Sequence, residues 1–204
     1  QTTDGIGLHG CEYITIDNST FKRNVDSIPL ATISDVNGDQ CRNIVFNNVT
    51  ITTTPYTSSD IFERLRGYNI NFVNCEISNG RSIGSIIDDH TITFKNCLLQ
   101  NMSIEAIVLR NSSKGVFKNN IFTGICFDNS GAYMVRLNDS SQAVFANNDF
   151  YQENFIDDNL GTSKPSGTII IQADTIIKGH SNYTDGLLEG LSSGDSSGYF
   201  PMTS

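Results

Sequence analysis

Apolar and polar residues alternate along this chain in short stretches, and one motif keeps returning: apolar, any, large apolar, any, Asn, any, any, apolar. The copies run from Ile14 through Ile16 and Asn18 to Phe21, from Ile44 through Phe46 and Asn48 to Ile51, and from Ile70 through Phe72 and Asn74 to Ile77. Three more follow: Ile92, Phe94, Asn96 and Leu99; Gly115, Phe117, Asn119 and Phe122; Ala143, Phe145, Asn147 and Phe150. A degenerate seventh copy runs from Ile169 through Ile171 to Ile176. Alternation with period two predicts strands with one buried face. The Asn between two strands predicts a bend, because Asn tolerates left-handed backbone angles and bonds locally.

The Asn column moves through positions 18, 48, 74, 96, 119, 147 and 173, in steps of 30, 26, 22, 23, 28 and 26 residues. Strands this short, at so long and elastic a period and with no helical periodicity, predict a solenoid. The expected fold is all-β, a right-handed parallel β-helix of about seven to eight coils with three strands per turn, forming a rod about 35 to 40 Å long. One inward column then holds Ile16, Phe46, Phe72, Phe94, Phe117, Phe145 and Ile171. The corner holds Asn18, Asn48, Asn74, Asn96, Asn119 and Asn147, and beside it come Ser19, Val49, Cys75, Cys97, Asn120, Asn148 and Asp174, with Cys75 next to Cys97. The third strand of each coil is expected in the apolar segments 30–34, 61–65, 83–87, 106–109 and 133–137.

Composition narrows the function. Charged residues are 17%, below the roughly 25% usual in soluble domains, so Asn, Ser and Thr make a neutral-polar surface. With 22 Asp+Glu against 13 Lys+Arg, the chain is poorly suited to neutralising a row of phosphates, so no nucleic-acid partner is expected. No apolar run approaches the roughly 20 residues of a helical span, so no membrane insertion is expected. The five cysteines, Cys11, Cys41, Cys75, Cys97 and Cys126, lack metal-knuckle spacing. They read as reduced core thiols, with no metal or cofactor expected and assembly in a reducing cytosol. Sequons such as Asn18-Ser19-Thr20 follow from the Asn, Ser and Thr content and are not read as glycosylation sites. Residues 1–178 are expected to form the β-helix, and residues 179–204, with the Gly/Ser-rich run at 186–198, a cap and linker. The start, without Met or leader pattern, reads as a cut end.

The Asn and Phe columns resemble those of the pectin-lyase-like β-helix proteins: pectate lyases, polygalacturonases, and the trimeric tailspikes or appendages of bacteriophages. The resemblance implies binding and cleavage of acidic or capsular polysaccharide along the outside of the coil. Thr2-Thr3-Asp4-Gly5-Ile6 is similar to the Asn-Thr-Asp-Gly stretch of polygalacturonases, and Asp26, in Asn24-Val25-Asp26, lies 22 residues later. In that family such carboxylates, one coil apart, serve as general acid and as base for a water in an inverting hydrolysis, which implies catalytic roles for Asp4 and Asp26. Mutual repulsion would keep one of them protonated for the acid role. The Gly-His-Gly and Arg-Ile-Lys motifs of those enzymes are absent, and His9 precedes both carboxylates.

Charged residues also gather at the edges of the third strands. Glu63, Arg64 and Arg66 fall on one coil, Asp88, Asp89 and His90 on the next, then Glu105 and Arg110, then Arg136. Neighbouring coils would bring such groups within roughly 5 to 10 Å, the separation paired carboxylates need around a glycosidic bond, so Asp88 and Asp89 form a second candidate catalytic pair. Arginines among them could clamp a sugar carboxylate or phosphate; opposite charges could equally form salt-linked turns. His9, Glu63, Arg64, Arg66, His90, Glu105, Arg110 and Arg136 are the candidate substrate-binding residues. Tyr56, Tyr68, Tyr133, Tyr151 and Phe155 are candidates for sugar stacking or for a subunit interface.

The expected function is that of a glycoside hydrolase, part of a homotrimeric phage tailspike that binds and hydrolyses a bacterial surface polysaccharide, located in the virion tail or otherwise outside the cell. The alternatives are a non-catalytic structural or adhesive rod, and a lyase using calcium with Asp88, Asp89 and Arg110.

Overall fold

The computed structural model describes residues 5–23, 31–34, 40–53, 59–86, 90–125, 135–137, 141–152, 167–171 and 176–179. The first coil holds β1 (Ile6–His9), β2 (Thr15–Asp17) and β3 (Thr20–Lys22), and the second β4 (Ala31–Ser34), β5 (Arg42–Asn47) and β6 (Thr50–Thr52). Next come β7 (Phe62–Leu65), β8 (Tyr68–Val73) and β9 (Glu76–Ser78), then β10 (Ser85–Ile86), β11 (Thr91–Lys95) and β12 (Leu98–Met102). The fifth coil is β13 (Ile107–Leu109), β14 (Lys114–Lys118) and β15 (Ile121–Ile125), and the sixth β16 (Val135–Leu137), β17 (Ser141–Ala146) and β18 (Asp149–Gln152). β19 (Gly167–Ile171) and β20 (Ile176–Gly179) close the series.

These strands form a parallel β-solenoid. One sheet runs β2-β5-β8-β11-β14-β17-β19 and a second β3-β6-β9-β12-β15-β18-β20. The third side is divided into β1-β4-β7 and β10-β13-β16. Among the described residues each long sheet has seven strands, whereas the third side has six. The last described strand ends at Gly179, and residues 180–204 of the expected 179–204 cap and linker lie outside the described residues.

The aromatic column is in register as the motif requires, from Ile16 through Phe46, Phe72, Phe94, Phe117 and Phe145 to Ile171. The five Phe side chains are buried, and their rings stack at 4.7 to 5.5 Å between centroids, tilted 5 to 13° from parallel. Each coil thus covers the apolar face of the next, with offset ring stacking added to burial.

At the corner Asn18, Asn48, Asn74, Asn96, Asn119 and Asn147 all have φ between 47 and 56°, the left-handed region that Asn tolerates. Their amides form a file: Asn48 Nδ2 donates to Asn18 Oδ1 (2.6 Å), Asn96 to Asn74 (3.1 Å), Asn119 to Asn96 (3.0 Å) and Asn147 to Asn119 (3.2 Å). Asn74 keeps its place in the column, but its own Nδ2 donates to Asn47 Oδ1 at 3.3 Å and not to Asn48.

The column beside it has a second task. Asn120 Oδ1 accepts from Cys97 N (2.9 Å) while its Nδ2 donates to Phe94 O (3.0 Å), and Asn148 treats Asn120 N and Phe117 O alike (3.0 and 2.9 Å). One carboxamide therefore serves two buried backbone groups of the coil before it. The thiols of Cys75 and Cys97 do the same work more weakly, donating to Phe46 O and Phe72 O at 3.4 Å. Their shared column makes the two thiols neighbours, and the contact with Cys75, together with burial, pushes the Cys97 thiol far above its ordinary range.

Candidate functional site

The chemistry-bearing side chains collect where the third side turns into the first long sheet. Glu12 bridges to Arg42, Arg42 pairs with Tyr68, and the register of β8 with β11 sets His90 beside Tyr68. Four successive coils thus present Glu12, Arg42, Tyr68 and His90 in one file.

Arg42 Nε lies 3.8 Å from Glu12 Oε1, both side chains about half exposed, and Arg42 Nη2 donates to Gln40 Oε1 at 2.6 Å. The Arg42 guanidinium sits over the Tyr68 ring, 5.7 Å from its centroid, within cation–π range. On the other side the His90 ring meets Tyr68 edge to face at 5.1 Å. Half-buried Tyr68 is therefore held between two coils, and His90, 3% exposed, supports it from behind. The file ends at a tight turn where Asn111 and Ser112 both have positive φ and Ser113 N donates to Arg110 O at 3.1 Å.

Beside this file runs a column set by the ends of the third-side strands. His9 pairs with Ser34, and Arg66 N donates to Ile33 O (2.9 Å), which sets Arg66 opposite Ser34 on the next coil. His9 is exposed and Arg66 half-buried. Between β4 and β7 the register passes from Ala31–Phe62 to Thr32–Arg64, so Glu63 is the extra residue of a bulge. Bulges re-aim side chains and cluster near working sites. One coil further the third side breaks: Gly84 has φ +144°, and a side chain there would meet Phe62 O at 3.0 Å. The only conformation that fits is one open to glycine.

The sequence candidates divide as follows. His9, Arg66, Arg110 and His90 fall along the corner, the first three at the surface or half-buried and His90 inside. Glu105 is buried, at 6% exposure, at the opposite corner after the second long sheet, near Asp60, Arg81 and Ser82. Arg136 is placed on β16 opposite Val108. Glu63 and Arg64 are placed by register alone. Asp4, Asp26, Asp88 and Asp89 lie outside the described residues, as do Tyr56, Tyr133 and Phe155. Two ion pairs lie outside the third-strand candidates, Glu12–Arg42 and Asp60–Arg81 (3.6 Å). No three described His, Cys, Asp or Glu side chains are grouped to hold a metal ion.

Glu12, Arg42 and Tyr13 were absent from the sequence candidates, although a signal existed. Positions 12, 42, 68 and 90 are separated by 30, 26 and 22, the steps of the Asn column itself.

No curated protein matches the chain. A family model described as the right-handed β-helix region matches residues 4–125, more than half of the sequence and the coils that carry this corner. The chain belongs to the right-handed β-helix family.

Proposed function

We propose that the chain is a carbohydrate-active β-helix that binds a bacterial surface polysaccharide along the corner between its third side and first long sheet and hydrolyses it, as one rod of a homotrimeric phage tailspike. The observation that carries the reading is the concentration of Arg66, Arg110 and Lys114, with Tyr68, on one corner of a chain whose net charge is -9. Against an acidic background, a cationic and aromatic edge spanning several coils suits an extended anionic glycan, which guanidinium groups grip in bidentate fashion while rings pack on sugar faces. The family supports a carbohydrate-active or structural role in general. Catalysis is assigned to carboxylate pairs, Asp88 with Asp89, two and one residues ahead of His90 in the chain, or Asp4 with Asp26.

The test is product formation on a panel of acidic and capsular polysaccharides, reading new reducing ends and the ultraviolet absorbance of unsaturated sugars together. Reducing ends without absorbance are expected, and they should vanish in either Asp88→Asn with Asp89→Asn or Asp4→Asn with Asp26→Asn, with binding retained. Absorbance would replace hydrolysis by a lyase reaction, and activity surviving in both double variants would refute both pairs. A second reading, a non-catalytic adhesive rod, is favoured by one observation. Four described carboxylates are each held by a neighbour: Glu12 by Arg42, Asp17 by Asn47 (2.7 Å), Asp60 by Ser82 (2.8 Å) and Glu76 by Gln100 (2.9 Å). Binding without any product across the panel would establish that reading.

A further inference from the structure

The described residue that stands out most on this corner is Tyr13. Its φ is 58°, a left-handed conformation that a bulky side chain enters only against steric strain. The neighbouring coils fill the same position with Asn43 (φ 53°) and Asn69 (φ 57°), and Asn69 Nδ2 donates to Asn43 Oδ1 at 2.7 Å. Tyr13 follows the same steps of 30 and 26 residues to Asn43 and Asn69, and Tyr13 N donates to Arg42 O at 3.0 Å. The first coil thus departs from a rung of an Asn file and puts a ring there instead. That ring is 77% exposed, the most open large apolar side chain among the described residues. Neither packing nor hydrogen bonding among the described residues explains it, and strain retained at an open aromatic is a signature of function.

Its neighbours define what it would receive. Glu12 precedes it, and Arg42, on the next coil, is paired with Glu12 and Gln40 and lies over the Tyr68 ring. The Arg42 charge is balanced by a carboxylate at 3.8 Å, so an anionic ligand gains little there. A half-exposed carboxylate beside a half-exposed guanidinium instead offers an acceptor and a donor side by side, matching two adjacent ring hydroxyls.

We infer that Tyr13, Glu12 and Arg42 form a subsite for a neutral hexopyranose, with the sugar face stacked on the Tyr13 ring and vicinal hydroxyls shared between the carboxylate and the guanidinium. This rests on the polysaccharide-binding reading above and refines it. The anionic parts of the polymer belong to Arg66 and Arg110, and a neutral residue belongs here.

The test is affinity gel electrophoresis of the whole chain through dextran, galactan, mannan and polygalacturonate, with melting temperatures measured in parallel. Wild type is expected to be retarded by at least one neutral polymer. Tyr13→Asn should weaken that retardation about tenfold, the size of one aromatic stacking contact, while its melting temperature stays level or rises, because Asn is the residue used by the next two coils. Tyr13→Phe, which keeps the ring, should bind as wild type. Glu12→Gln should weaken retention by the neutral polymer and strengthen retention by polygalacturonate, since it releases the Arg42 charge. Undiminished binding by Tyr13→Asn, or equal losses in Tyr13→Phe and Tyr13→Asn, overturns the subsite and leaves the wider reading standing. Wild type retarded only by polygalacturonate does the same. No retardation in any gel overturns both.

Discussion

Replacing Asn120 tests whether side chains beside the corner hold the coils together through backbone groups. Asn120 is 1% exposed, and Asn120→Ala removes the acceptor of Cys97 N–H and a donor to Phe94 C=O. Asn120 Nδ2 also donates to Asn148 Oδ1 (2.9 Å), which keeps the backbone N–H of residue 120 as a donor at 3.0 Å and so is not left unsatisfied. Cys97 N–H is left without its acceptor, at about 1 to 3 kcal/mol, and Phe94 O, which keeps its place in the β11–β14 ladder, loses a second donor at about 1 kcal/mol, which puts the loss at about 3 kcal/mol. Asn120→Cys should lose about 2 kcal/mol, since a thiol there can donate to Phe94 O as Cys97 donates to Phe72 O. The control is Asn96→Ala in the outer file. Asn96 is exposed, so water replaces its side-chain bonds, and what remains is about 1 kcal/mol for an ordinary residue held at φ 55°. Equilibrium unfolding in guanidinium chloride, followed by far-ultraviolet circular dichroism, ranks the three; the chain has no Trp to report otherwise. An Asn120→Ala loss no larger than that of Asn96→Ala would refute the argument.

Further expectations follow from the same geometry. Gly124 has φ +59°, and a Cβ there would stand 2.8 Å from Asn101 Oδ1, so Gly124→Ala should cost about 1 to 2 kcal/mol by denaturant titration and Gly124→Asn less. Phe94, stacked at 4.9 Å on Phe72 and 5.5 Å on Phe117, should lose about 3 to 5 kcal/mol as Phe94→Ala. Phe94→Leu, which keeps the bulk and forfeits the ring contacts, should lose about 1 to 2 kcal/mol. The raised Cys97 thiol means that the fold keeps this proton where the unfolded chain releases it, above pH about 9. Its stabilisation is complete below that pH and declines as pH rises further, and Cys97→Ala should flatten the alkaline limb of stability against pH.

The aromatic and Asn columns were legible because both sit on the two long sheets, where a strict alternation and a fixed strand–bend–strand length repeat together. Two further files follow the same steps and went unread. Asn43 and Asn69 differ by 26, and Asn79, Asn101 and Gly124 by 22 and 23, all with positive φ. Asn101 Nδ2 donates to Asn79 Oδ1 at 3.3 Å, and Gly124 ends that file. They were hidden because each spans few coils and ends in a different residue type. The site was harder to read for a physical reason. Charge density along the chain led to Glu63, Asp88 and Glu105, whereas a solenoid brings together residues a whole coil apart, so Glu12, Arg42, Tyr68 and His90 become neighbours only when the period is followed. The bulge at Glu63 and the break at Gly84 depend on pairing between coils, which local sequence does not encode.

The spacing between the long sheets carries one more consequence. Thr15 and Lys22, Val45 and Thr52, Asn71 and Ser78, Thr93 and Gln100, Val116 and Thr123, and Val144 and Tyr151 are matched pairs, always seven residues apart on six consecutive coils. All the variation in coil length, from 22 to 30 residues over these coils, is therefore absorbed elsewhere on the turn. This divides the molecule into a constant ruler and a variable margin. A single deletion inside the ruler would exchange the inner and outer faces of a strand, whereas extra residues in the margin add only a slowly growing loop-closure entropy. New binding specificities can thus be written into the margin by insertion, coil by coil, without disturbing the stacked interior that keeps the rod upright.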